Sequence, residues 1–222
     1  MSVLAQVPSK PLPWRVTVGA EGIAAAQFAR CGFDVSVQSG RDKPCYDLVV
    51  AKSGNLLKVS VKGSDDGSWA LTEPYLKRVT DLHGRRANLL GAIDQWRDHL
   101  GSRAICCLVQ FQDVPIDELP RIYLASPHEL VQKLKETVER LGISTLYEKY
   151  EWAAAGDGSA MIEELPSAWA FSESRIEGLL SRKASAPAPK PTLLTRVKSP
   201  VGDWTSGVDS RVNGEEEVEL SA

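Results

Sequence analysis

The chain has 222 residues, of which 43% are hydrophobic and 25% charged, with a net charge of −3. That balance suits one soluble domain of medium size, or one domain with a tail, and no apolar run approaches the ~20 residues that a bilayer requires. Residues 183–222 hold five basic and six acidic residues, so the rest of the chain conceals no basic core. This charge argues mildly against tight non-specific DNA binding, which needs many phosphate-neutralising side chains, and any nucleic-acid contact must be a local patch and not a global field.

Residues 1–14 contain three prolines and little periodicity, which predicts an extended arm without the positive-then-apolar order of a secretion signal. Val18 to Cys31 is Ala-rich and reads as a helix, stopped by Gly32. Phe33 to Gln38 alternates like a strand, and Gly40 to Pro44 is a charged loop. Tyr46 to Ala51 is a mainly apolar strand suited to the middle of a sheet. Ser53-Gly54-Asn55 turns the chain, and Leu56 to Lys62 returns as a third strand. On it Leu57, Val59 and Val61 fall on one face, with Lys58, Ser60 and Lys62 on the other.

Beyond Thr72 helical patterns dominate. Leu89, Ile93, Trp96 and Leu100 form one stripe closed by Gly101. Ala104 to Phe111 reads as a buried strand and Arg121 to Ala125 as a shorter one. Ser126-Pro127-His128-Glu129 has the composition of a capping box, followed by a core face of Leu130, Leu134, Val138 and Leu141, with Gly142 at the end. A last helix is expected from Ser172 to Leu180. From Lys183 onward Ala-Pro alternation gives way to Ser, Gly and a glutamate run, which predicts a disordered tail over 183–222 behind a domain spanning 15–182. Of the four cysteines (Cys31, Cys45, Cys106, Cys107), two are adjacent in an apolar run and none has paired metal spacing, which predicts reduced thiols and a cytoplasmic setting.

Three residues carry candidate chemistry. Glu21 lies in the first helix, Asp47 opens the second strand, and Lys62 closes the third. Carboxylates that can hold a hard divalent cation, beside a lysine on adjacent strands, are the parts that phosphodiester cleavage needs. Each also has a plainer reading. Asp47 and Lys62 could form a structural ion pair, and Glu21 suits the helix dipole. Trp69 and Tyr75 could stack on bases, with core packing expected for Trp69. Lys77, Arg78, Arg85 and Arg86, with His83, make the densest basic cluster, either a phosphate-contacting patch or a solvated helix start.

The order and spacing of Gly-Ala-Glu-Gly, Gly-Phe-Asp-Val, Tyr-Asp-Leu-Val-Val and Lys-Val-Ser-Val-Lys-Gly-Ser over residues 17–64 resembles the PD-(D/E)XK nuclease superfamily, including its Holliday-junction-resolvase-like branches. The resemblance implies a restriction-endonuclease-like three-layer α/β domain with a central mixed β-sheet flanked by helices. It implies catalytic roles for Asp47, Lys62, Glu21 and Ser60, with Mg²⁺ or Mn²⁺ held by Glu21, Asp47 and the main-chain carbonyl of Val61. The partner implied is DNA, with a homodimer or a partner protein as further possibilities. Ser60 departs from the pattern, since the superfamily places Glu, Asp or Gln there. Three readings stay open: Glu21 supplies the displaced carboxylate, Ser60 binds weakly or through water, or the chain is a catalytically silent module that binds nucleic acid or protein in a defence, repair or mobile-element system.

Overall fold

The computed structural model describes residues 13–39, 45–79, 81–101, 104–153 and 160–184. All but the last two residues of the expected arm and all but the first two of the expected tail lie outside these residues; Pro13 and Trp14 are helical and not extended.

Helix α1 (Pro13–Arg30) starts five residues earlier than the periodicity suggested, with proline in its first turn, where its missing N–H costs nothing. Strand β1 (Asp34–Val37) pairs antiparallel with β2 (Leu48–Lys52), and β2 pairs antiparallel with β3 (Asn55–Ser64). A short strand β4 (Ser68–Trp69) and a single 3₁₀ turn lead to α2 (Leu82–Leu100), which Asp81 caps by accepting a hydrogen bond from the Gly84 amide. Strand β5 (Ala104–Gln110) then lies parallel to β3, and β6 (Arg121–Ala125) returns antiparallel beside β5. The sheet order is β1-β2-β3-β5-β6, a mixed five-stranded sheet.

Helix α3 (Pro127–Leu141) carries the full capping box expected of Ser126 and Glu129, and Gly142 ends it at φ 68°, the left-handed conformation that favours glycine. Strand β7 (Leu146–Tyr147) pairs with β4, and β8 (Lys149–Ala153) forms a hairpin with β9 (Ala160–Glu164). Helix α4 (Glu173–Ala184) ends the described chain and runs two residues past the anticipated domain boundary at 182.

Two cores make three layers. On one face, Ala20, Ala24 and Phe28 of α1 and Ile176 and Leu179 of α4 pack on Leu48, Val50, Leu57, Val59, Val61, Ile105, Cys107 and Val109. On the other, Ile93 and Trp96 of α2 and Leu130, Leu134 and Val138 of α3 pack on Ala104, Cys106, Leu108 and Ala125. The expected three-layer α/β architecture with a central mixed sheet and flanking helices is the one formed. The two faces are not equivalent, however. The second core draws its sheet residues from β5 and β6, and none from β1, β2 or β3. On that side β3 presents Leu56, Lys58, Ser60, Lys62 and Ser64, with Val49 and Ala51 of β2 beside Lys58 and Leu56, so the β3 part of this face is mainly polar.

Candidate functional site

Asp47 stands at the edge of this mainly polar part of the face. The sequence pattern placed it inside a strand, but β2 begins one residue later, and the cause is local. The Asp47 amide donates to the Val59 carbonyl at 2.8 Å and its carbonyl accepts from the Gln38 amide at 2.8 Å, so the main chain is tied on both sides. The next ladder bond is replaced by a side chain: the Val61 amide donates to Asp47 Oδ2 at 2.7 Å. The carboxylate is thus seated against β3 between Ser60 and Lys62, and Asp47 is only 6% exposed. A buried carboxylate is costly unless hydrogen-bonded, and here a main-chain N–H supplies a bond.

Ser60 is 2% exposed and pairs with Cys106 of β5, whereas Lys62 is exposed and pairs with Leu108. The main chain at Lys62 is held by the Trp69 indole, which donates to the Lys62 carbonyl at 3.0 Å and packs edge-on against Tyr123. Trp69 is buried, as expected of a packing residue. The Cys106 thiol registers both charges. It is pushed up to about 12, chiefly by burial, with the Lys62 ammonium opposing the rise and the Asp47 carboxylate adding to it. Asp47 and Lys62 therefore lie within electrostatic reach of one buried sulfur.

Glu21 belongs to the opposite layer. Ala20, its neighbour, packs in the core under β3, and α1 lies so close there that a Cβ on Gly63 would sit 2.8 Å from the Val16 carbonyl and 2.9 Å from the Ala20 Cβ. Gly63 follows Lys62 directly. Half-buried Glu21 thus emerges one residue from the helix–strand contact, near the end of β3 where Lys62 lies on the other face. Among the described residues, no three His, Cys, Asp or Glu side chains gather as metal ligands.

That donor set is too small for a closed, all-protein cage. It fits Mg²⁺, which keeps several waters and takes one or two carboxylates plus substrate phosphate. Asp47 is the carboxylate in place, with Ser60 and the Val61 carbonyl as neutral oxygens beside it.

The basic cluster is exposed at Lys77, Arg78, Arg85 and Arg86. Asn88 of α2 clamps the segment, accepting from the Lys77 amide at 3.1 Å and donating to its carbonyl at 2.8 Å. Arg86 is paired with Glu139 of α3 at 3.3 Å, while Arg85 and Arg86 flank a cavity of about 340 Å³ floored by Leu89, Val138 and Ile143.

Two further residues at the site were not singled out from sequence. The Lys58 ammonium lies 4.6 Å from the centre of the Tyr46 ring, immediately before Asp47. The alternation of β3 put Lys58 on the polar face, but its partner follows from the strand register alone. No helix among the described residues is long and apolar enough to cross a membrane.

No protein-family model matches the chain, and no curated protein matches it. Among solved structures, a bacterial homing endonuclease, I-Ssp6803I, aligns over 81% of this chain and 100% of its own, at 15% identity and a TM-score of 0.41. At that overlap and identity the likeness carries no inference about what this chain does.

Proposed function

We propose that this chain is a metal-dependent nuclease that cleaves phosphodiester bonds in DNA, with Asp47 and Lys62 as its central pair. The observation that carries the reading is the Asp47 carboxylate, buried and fixed on the Val61 amide, beside Ser60 and Lys62, on the half of a sheet face left out of the helical core. A buried carboxylate is costly to keep charged, and carboxylates fixed in position by main-chain N–H groups suit functional sites.

In this reading Asp47, with the Val61 carbonyl and Ser60, would hold Mg²⁺ or Mn²⁺, and Glu21 would add a second carboxylate from α1. The ion would supply Lewis acidity toward the phosphate and a more acidic bound water. Asp47 would present its carboxylate in a position fixed by the bond from the Val61 amide. Lys62, exposed and held through its own carbonyl by Trp69, places an ammonium where charge develops on the phosphoryl oxygens. Lys77, Arg78, Arg85 and Arg86 would take flanking phosphates.

The test is nicking of supercoiled plasmid in Mg²⁺ or Mn²⁺. Wild-type protein is expected to nick, and Asp47→Ala and Lys62→Ala to abolish nicking. Nicking by Asp47→Ala at the wild-type rate would overturn the assignment. A second reading has its own observation. Ser60 is neutral where an acidic or amide side chain is usual, and no three-ligand group occurs among the described residues. A catalytically silent module that binds DNA or protein predicts salt-dependent DNA binding without cleavage in either metal.

A further inference from the structure

The mainly polar face of β3 extends beyond the central pair. Lys58 and Lys62 are both on it, four residues apart on one strand, which separates them by about 13 Å at the rise of a β-strand. Lys58 differs from Lys62 in being half-buried, with its ammonium held over the Tyr46 ring. Tyr46 is covalently next to Asp47, so the same short segment fixes a carboxylate on one side and a cation on the other.

A lysine at this position is poor at packing alone. Its partner across the ladder is Val49, and an apolar residue there would bury against it without desolvating a charge. The aromatic ring holds the ammonium in one place, and the N–H donors that point away from the ring are available to an anion. We infer that Lys58, positioned by Tyr46, is a further phosphate contact, for the DNA strand that lies along β3. This rests on the nuclease-type reading of the same site and adds a substrate-binding residue to it. The arrangement predicts that the bound strand tracks β3 from Lys62 toward Lys58 and not toward the acidic cleft beyond Trp69, where Asp113, Glu148, Glu151 and Glu164 outnumber Arg121 and Lys149.

The experiment is binding of a fluorescent DNA duplex, followed by anisotropy from low to moderate salt in EDTA, so that no cleavage intervenes. Lys58→Met keeps the aliphatic stem and removes the charge. The slope of log K against log salt is expected to flatten by about 0.9, one phosphate contact, with Lys58→Arg restoring it. Thermal unfolding of each variant shows whether the fold persists, and Lys58→Arg serves as the folded reference if Lys58→Met melts early. A wild-type slope in folded Lys58→Met overturns the inference and leaves the nuclease-type reading standing. Absence of binding by wild-type protein overturns that reading, and the inference with it.

Discussion

Gly63→Ala tests the packing of α1 on β3, the contact beside which Glu21 emerges from the helix. The backbone at Gly63 is ordinary strand, so alanine meets no conformational penalty there, and removing a glycine's unfolded-state freedom would by itself stabilise by roughly 0.4–1 kcal/mol. The space decides otherwise. The new methyl carbon would lie 2.8 Å from the Val16 carbonyl oxygen, 2.9 Å from the Ala20 Cβ and 3.0 Å from Val16 Cγ1, each short of van der Waals contact. All three belong to one helix, so α1 must retreat as a body. Overpacking of this kind costs about 1–3 kcal/mol, and the net loss should be on the order of 1–2 kcal/mol after the entropic gain. In thermal denaturation that is a fall of about 2–8 °C for a domain of this size. A melting temperature equal to or above wild type would refute the close approach. If Glu21 takes part in cleavage, Gly63→Ala should also slow nicking more than it perturbs DNA binding.

Asp47→Asn should cost little stability because an amide oxygen can still accept from the Val61 N–H, whereas Asp47→Ala orphans that buried donor and should cost about 1–3 kcal/mol by urea denaturation. Both should lose nicking, and equal stability of the two would show that the hydrogen bond contributes nothing. At α3, burial pushes the Glu129 carboxyl up, but hydrogen bonds from Arg175 and Ser126 outweigh it and hold the group at about 2, below its ordinary 4.5. A depressed folded value means stability present above the ordinary value and lost as pH falls from about 4.5 toward 2, so Glu129→Gln should flatten the acid limb of a stability–pH curve. Cys45 is exposed and should react promptly with a thiol reagent, whereas Cys106 and Cys107 are buried with raised thiol values and should react only on unfolding. Arg86→Ala breaks an exposed pair with Glu139 and should change stability by no more than about 1 kcal/mol while weakening DNA binding.

Much of the frame was legible because local rules and tertiary packing agree. Ser126 and Glu129 announce α3, and Leu130, Leu134 and Val138 give its buried stripe. Ala104 to Val109 is apolar without a break because helices cover both its faces. The hairpin of β8 and β9 was not legible: Lys149, Tyr150 and Glu151 have no apolar alternation, and Glu163 is held instead by Lys133 and Arg140 of α3. At the site, the residue types were readable and their contacts were not. Asp47 announces itself as a charge opening an apolar strand, but its bond to the Val61 amide depends on where β2 enters the ladder. The pairing of Lys58 with Tyr46 depends on that register too.

The parallel pairing of β3 with β5 has a consequence during biosynthesis. β1, β2 and β3 can zip together as soon as residue 64 has emerged, but the far edge of β3 has no partner until residue 110 follows it. At ribosomal speeds of roughly 5–20 residues per second, those 46 residues leave the strand edge open for about 2–9 s. Throughout that interval Leu57, Val59 and Val61 are roofed by α1 alone, so the nascent chain is most vulnerable to intermolecular pairing at the same strand that bears Ser60 and Lys62.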